Sequence, residues 1–152
     1  MFGRLTDLVK KGDTLKKANP FYFILKDDYD LQDYIIMLNT EEQLFKGKDA
    51  TNTDLESIGG GYSGFTKGIK IAKSQPIDRV TLKDSGVFYK SFDVIVQKNQ
   101  FKIDAYYIKD VDSLQDRWGD NLAGLTSESR IKLIEKLLPK LRLFILEHLL
   151  NE

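Results

Sequence analysis

The final stretch of the chain is the strongest constraint on what it can fold into. In Leu141-Arg142-Leu143-Phe144-Ile145-Leu146-Glu147-His148-Leu149-Leu150, apolar residues stand on nearly every side of a helix that begins near Ser127. A helix resting on one core needs a single apolar stripe, and Ile134, Leu137, Leu138, Leu141, Ile145 and Leu149 supply one. Leu143, Phe144, Leu146 and Leu150 then have no obvious burial. Each large side chain left in water forgoes roughly 1.5–3 kcal/mol, and contiguous apolar patches commonly mark contact surfaces. Two readings stand: the helix is wrapped by other elements of its own domain, or its surplus is covered by another chain. Pro139 lies inside this helix. An interior proline removes a backbone hydrogen bond at about 3 kcal/mol, which predicts a kink near Leu137-Leu138 or two abutting helices.

A length of 152 residues suits a single domain (1–152) with one core, and a 41% hydrophobic, 30% charged composition argues against wholesale disorder. The 23 acidic and 23 basic residues cancel, so the whole molecule has no net attraction to polyanions. The absence of cysteine excludes disulfides and thiolate metal sites, and nothing points to an oxidising compartment. Met1-Phe2-Gly3-Arg4-Leu5-Thr6-Asp7 carries an acid and no continuous apolar run, so it does not read as a secretory signal. No window approaches the roughly 18 uncharged apolar residues of a membrane span. The expectation is a chain made and used in solution.

Periodicity divides the chain into a helical part (1–46), a long Gly-rich loop (47–79), a β region (80–107) and a second helical part (111–150). Phe2, Leu5, Leu8 and Val9 recur at helical spacing ahead of Lys10, Lys11, Lys16 and Lys17, predicting a short amphipathic helix over 2–17. Asn19-Pro20 has the chemistry of a helix start. From it Phe21, Ile24, Leu25, Leu31, Ile35 and Leu38 predict one long helix to about Phe45, ended by Gly47. Residues 47–79 exceed ordinary loop length, with a weak helical turn near Phe65–Ala72. Val80 and Leu82 suggest a short strand, and Val87–Lys90 a helical turn. Phe92, Val94 and Val96, then Phe101, Ile103, Ala105 and Tyr107, alternate across Lys98-Asn99-Gln100 as a hairpin with one dry face. A polar bend around Gly119 and Gly124 leads to Thr126/Ser127, a candidate N-cap. The fold class is α+β: long N-terminal and C-terminal helices packed on a small antiparallel hairpin.

Catalytic and cofactor motifs fail on their chemistry. Gly59-Gly60-Gly61-Tyr62-Ser63-Gly64 spells G-x-G-x-x-G, but polar residues precede it where a parallel strand is required, and a flexible hinge is the simpler account. Read as a phosphate loop, it places Phe65 where the phosphate-neutralising lysine belongs. Asp27-Asp28-Tyr29-Asp30 reads as a solvated helix face rather than a metal site. His148 is the only histidine, and no serine is marked as its partner. No catalytic residue, metal ligand or cofactor is assigned. The cations Lys46, Lys48, Lys67, Lys70, Lys73 and Arg79, with Tyr62 and Phe65, allow a nucleic-acid reading, although Asp49, Asp54, Glu56 and Asp78 are interspersed. Plentiful Asp and Glu leave a small hydrolase as a further alternative. Trp118 reads as a packing anchor.

Arg79-Val80-Thr81-Leu82-Lys83-Asp84-Ser85-Gly86-Val87-Phe88-Tyr89-Lys90-Ser91-Phe92, entering a β-hairpin, resembles the head–tail joining, tail-completion or virion-morphogenesis proteins of tailed bacteriophages. Leu38-Asn39-Thr40-Glu41-Glu42-Gln43-Leu44-Phe45-Lys46-Gly47, Tyr62-Ser63, Gln75-Pro76-Ile77-Asp78-Arg79 and Trp118-Gly119 extend the likeness over roughly residues 34–130. The resemblance implies a non-enzymatic structural subunit of a phage virion, made in the host cytoplasm. It would assemble with copies of itself as a ring, or around a ring, at the neck, contacting portal, connector or tail proteins. It implies no small-molecule substrate and no membrane. In that picture the Gly47–Arg79 loop and the last helix supply the contacts, and the subunit-interface residues expected are Tyr62, Phe65, Leu143, Phe144, Leu146 and Leu150.

Overall fold

The computed structural model describes residues 2–150, the side chains of Phe2 and Ala18 excepted, so the expected place of Phe2 on an apolar helix face lies outside the described residues. Helices α1 (Phe2–Ala18), α2 (Pro20–Lys26) and α3 (Tyr29–Thr40) open the chain, and α4 (Leu55–Gly59), α5 (Gly64–Ala72) and the short α6 (Val87–Lys90) follow. Two antiparallel hairpins come next, β1 (Asp93–Val96) with β2 (Phe101–Asp104) and β3 (Ile108–Lys109) with β4 (Asp112–Ser113). Helices α7 (Leu114–Trp118) and α8 (Ser127–Leu150) close it. The architecture is α+β, with α3 and α2 packed on β1 and α1, α2 and α3 packed on α8.

The single helix expected from Pro20 to Phe45 is two helices, and its acidic cluster is the reason. Asp28 takes a non-helical backbone conformation and its Oδ1 accepts from Leu31 N–H at 3.0 Å, capping α3. Gln32 turns back and donates to Leu25 O at 2.7 Å, closing the end of α2. Side-chain capping thus replaces the backbone bonds that an unbroken helix would make, and Asp27-Asp28-Tyr29-Asp30 marks a helix boundary, not a continuous solvated face. Asn19 also departs from expectation. It makes no side-chain cap to α2; its amide donates instead to Lys98 O in the β1–β2 turn.

The apolar period survives the break: Leu25, Leu31, Ile35 and Leu38 are all buried. They meet the dry face of the β1–β2 hairpin, whose register pairs Val94 with Ile103 and Val96 with Phe101. Phe92, Val94 and Ile103 are buried, as the alternation predicts. Phe88 of α6 lays its ring edgewise on Phe92 with centroids 5.0 Å apart. Expected as a strand, Val80–Leu82 is irregular: Leu82 has φ +54° and the segment belongs to neither hairpin.

Helix α8 runs unbroken through Pro139, so the two-helix expectation does not hold. The carbonyl that Pro139 cannot serve is that of Glu135, and both residues are exposed, which lets water satisfy it. Thr126 caps the helix, its Oγ1 accepting from Ser129 N–H at 3.2 Å. The stripe that α8 turns inward is Ser129, Leu133 and Leu137, buried, continued by half-buried Leu141, Ile145 and Leu149; it keeps four of the six expected positions, while Ile134 and Leu138 are exposed.

Two buried amides set where α8 begins. Asn39 Nδ2 donates to Leu122 O at 3.0 Å while its Oδ1 accepts from Gly124 N–H at 2.7 Å. Gln43 repeats the pattern one turn on, donating to Gly124 O and accepting from Thr126 N–H, each at 2.9 Å. The end of α3 therefore grips the approach to α8 as a neighbouring strand would.

Residues 47–79 are not an irregular Gly-rich arm. Gly47, at φ +80°, closes a 3-10 turn over Leu44–Lys46. Asp49 is buried and accepts from Thr51 N–H, Thr51 Oγ1 and Thr53 N–H at 2.7–2.9 Å, holding a tight turn. Gly59 is not a hinge: a Cβ there would stand 2.6 Å from both Arg117 O and Trp118 Cδ1. The glycine lets α4 pack against α7 over buried Trp118.

Candidate interaction surfaces

Helix α5 is assembled with its polarity reversed. Ser63 Oγ caps it, accepting from Thr66 N–H at 3.2 Å. Its one buried side chain is a cation, Lys70, at 5% exposure. The ammonium donates to Lys83 O at 2.9 Å and Gln75 Oε1 at 3.1 Å and lies 4.6 Å from the centroid of the Tyr62 ring. Two acceptors and a π face replace water around a charge otherwise expensive to bury. Outward, α5 shows Phe65 at 81% exposure, with Ile69 and Ile71 also exposed.

Tyr62 itself is half-buried and turned inward. Its hydroxyl accepts from Thr81 N–H at 2.9 Å and Leu82 N–H at 3.3 Å, and Tyr89 O–H donates to Thr81 O from the other side. Burial pushes the Tyr89 phenol well above its ordinary range. This pair of tyrosines satisfies the irregular 80–82 segment, which no strand pairs.

On α8, Leu143, Leu146 and Leu150 are 57%, 52% and 70% exposed. Phe144 is half-buried, nearly parallel to Phe23 of α2 at 6.3 Å between centroids and stacked on His148 at 4.0 Å. Of the six interface residues expected from sequence, the structure therefore places Phe65, Leu143, Leu146 and Leu150 at the surface. Tyr62 and Phe144 are engaged within the chain. Ile131, Ile134 and Leu138, absent from that set, are exposed on a second side of α8. The exposure of Ile134 and Leu138 follows from the line that is buried instead, Ser129, Leu133, Leu137, Leu141, Ile145 and Leu149 at four-residue steps.

Most cations of the 46–79 region are occupied. Lys46 pairs with Glu42 and Lys48 with Asp54, both at 2.9 Å, and Lys73 pairs with Asp84. Arg79 bonds Asp78 and donates through Nε to Phe45 O at 2.8 Å. Hydrogen bonds from Lys73 and then Lys109 hold the Asp84 carboxyl below its ordinary range. Bonds from Lys46 and Lys132 do the same for Glu42. Burial opposes ionisation of Asp28, but Lys140, Leu31 N–H and the nearby charge of Lys136 outweigh it and leave that carboxyl lowered too.

A cleft of about 370 Å³ opens where Ala50–Asn52 face Leu125–Glu128 and Arg130, and its lining is mostly polar. Among the described residues no group of three or more His, Cys, Asp or Glu side chains is placed to hold a metal ion, and no helix is long and apolar enough to cross a membrane. Comparison of the chain with known protein families, curated proteins and solved structures finds no match.

Proposed function

We propose that this chain is a non-enzymatic structural subunit that works by assembling with copies of itself and neighbouring proteins, as at the head–tail neck or tail-completion ring of a tailed bacteriophage. The observation that carries the reading is the outward apolar surface of α8 and α5, with Leu143, Leu146, Leu150 and Phe65 in water. Covering the exposed parts of those three leucines is worth about 3–5 kcal/mol. Association itself costs at least about 4 kcal/mol, so α8 needs a second contact, and α5 offers one.

The neck assignment rests on the sequence resemblance around Arg79–Phe92; the structure adds that this segment is anchored by tyrosines inside the chain rather than presented as a site. The nucleic-acid alternative built on the lysine-rich stretch 46–79 is disfavoured, because Lys46, Lys48, Lys70, Lys73 and Arg79 are already engaged. The hydrolase alternative needs a carboxyl raised to act as an acid, whereas the three carboxyl shifts resolved, at Asp28, Glu42 and Asp84, are all downward.

The test is Leu143→Glu with Leu146→Glu, measured by sedimentation for mass and by circular dichroism for fold. The expected outcome is a folded chain that no longer assembles. Assembly unchanged, or a chain that unfolds outright, refutes the reading.

A further inference from the structure

Charge is distributed unevenly along a chain whose total is zero. Helix α1 carries five cations (Arg4, Lys10, Lys11, Lys16, Lys17) against two carboxylates (Asp7, Asp13), a net of +3. Arg4, Lys10, Lys16 and Lys17 enter no ion pair among the described residues, and Leu5 and Val9 lie exposed beside them. Residues 106–120 form the opposite surface. Asp110, Asp112, Asp116 and Asp120 are exposed and enter no ion pair among the described residues. The two cations of that stretch are turned to other work. Lys109 is bound to Asp84, and Arg117 donates to Gly59 O at 2.9 Å while stacking on Trp118. Apolar side chains again accompany the charge: Val111 is 93% exposed at the β3–β4 tip, and Ile108 is exposed behind it.

These two surfaces are tied to opposite ends of the β1–β2 hairpin. The chain leaving α1 is tied to the β1–β2 turn by Asn19 and Lys98. The acidic stretch departs from the other end of that hairpin, where Tyr106 N–H donates to Ser91 Oγ at 2.9 Å. Along α8 the order is the same. The acidic residues precede its first turn, while Phe23 of α2, one helix on from α1, meets Phe144 near its last turns. A 24-residue helix is about 36 Å long. Among the described residues no ion pair joins the basic face of α1 to the acidic face within one chain.

We infer that the basic, leucine-bearing face of α1 in one copy docks on the acidic 106–120 surface of a second copy, joining copies head to tail. The inference rests on the assembly reading above and adds to the α8 and α5 contacts a second pair of surfaces, which sets how one copy follows another. A contact between two different faces repeats, so it closes into a ring or continues as a filament. Opposite charge at its rim sets register and speeds encounter.

The experiment uses the full chain and two charge reversals. One carries Lys10→Glu, Lys16→Glu and Lys17→Glu. The other carries Asp112→Lys, Asp116→Lys and Asp120→Lys; Asp110 is spared because its backbone is at φ +58°. Sedimentation velocity at low salt, with protein up to about 0.1 mM, reads association, and circular dichroism checks the fold. Each reversal alone is expected to weaken self-association at least tenfold, since like charge then faces like charge, about the effect of several rim pairs lost together. Mixing the two variants, or combining all six changes in one chain, is expected to restore it to within about threefold of the parent. If the parent assembles and neither reversal matters, or if the six-change chain stays apart, the inference falls while the assembly reading survives. A parent that remains monomeric removes both. A monomeric parent that floats with vesicles of phosphatidylglycerol, and loses this on reversal of α1, assigns that helix to an anionic lipid surface instead.

Discussion

Replacing Asn39 with leucine is the sharpest probe of how the apolar side of α8 comes to be presented. Asn39 is fully buried and serves two backbone groups that nothing else satisfies, Leu122 O at 3.0 Å and Gly124 N–H at 2.7 Å. Leucine keeps the branching at Cγ but is bulkier and neither donates nor accepts. The change therefore strands one buried carbonyl and one part-buried amide, each worth about 1–3 kcal/mol with the amide at the lower end. The combined loss is about 2–5 kcal/mol, a large part of the 5–15 kcal/mol that usually holds a domain. In urea, with a slope of roughly 2 kcal/mol per molar for a chain of this size, the midpoint falls by about 1–2.5 M. Asn39→Asp separates the two bonds. It keeps an acceptor for Gly124 N–H but turns a carboxylate on Leu122 O, so it is expected to destabilise at least as much, with partial recovery at low pH where the acid is neutral and can donate. The pair Asn39→Leu with Gln43→Leu is expected to be non-additive, since both side chains hold the same 122–126 segment. A midpoint shift under about 0.3 M for Asn39→Leu, or strict additivity of the pair, refutes the idea that these amides fix the start of α8.

Gly59→Ala is expected to lower stability by about 1–3 kcal/mol through crowding of the α7 backbone, and the single tryptophan, Trp118, reports it by a red-shifted emission as it loses its packing. Lys70→Met keeps the length of the side chain but leaves Lys83 O and Gln75 Oε1 without their donor, so a loss of about 1–3 kcal/mol in thermal or urea unfolding is expected. Asp28→Asn retains the cap on Leu31 N–H and removes the charge that faces Lys140. Because the folded carboxyl is lowered, its contribution is present above pH 4 and is lost as pH falls through the folded value. The parent is therefore expected to exceed the variant by about 0.5–1 kcal/mol at neutral pH, the size of a partly exposed pair, and to converge on it as acid protonates the carboxyl. A gap that persists in acid contradicts this assignment.

What could be read from sequence is what local periodicity controls. The β1–β2 hairpin, the α6 turn, α5 and the limits of α8 follow from patterns that neighbouring residues set by themselves. The misreadings lie where distant residues decide. Asp28 looks like one more charge until Gln32 is seen closing the preceding helix. Val80-Thr81-Leu82 has the composition of a strand, yet Tyr62 and Tyr89 take its backbone bonds from outside any sheet. The stripe of α8 is legible at Leu137, Leu141, Ile145 and Leu149 but not in the first turns, where Leu133 is buried and Ile134 and Leu138 are not, a choice made by what packs on the helix. Of the candidate surface on α8, Leu143, Leu146 and Leu150 are legible from sequence, whereas the exposure of Ile131, Ile134 and Leu138 is not. Nothing local announces that Lys70 is buried while Phe65 is not.

The inverted packing of α5 separates two demands that most helices must meet with one set of side chains. Its hold on the rest of the chain runs through a lysine, a glutamine and tyrosine, so its aromatic and aliphatic residues carry little of the burden of folding. Exchanges at Phe65, Ile69 or Ile71 can then alter what the helix meets outside without unsettling what lies beneath it. Such a segment is open to retuning: a partner can change while the scaffold is kept.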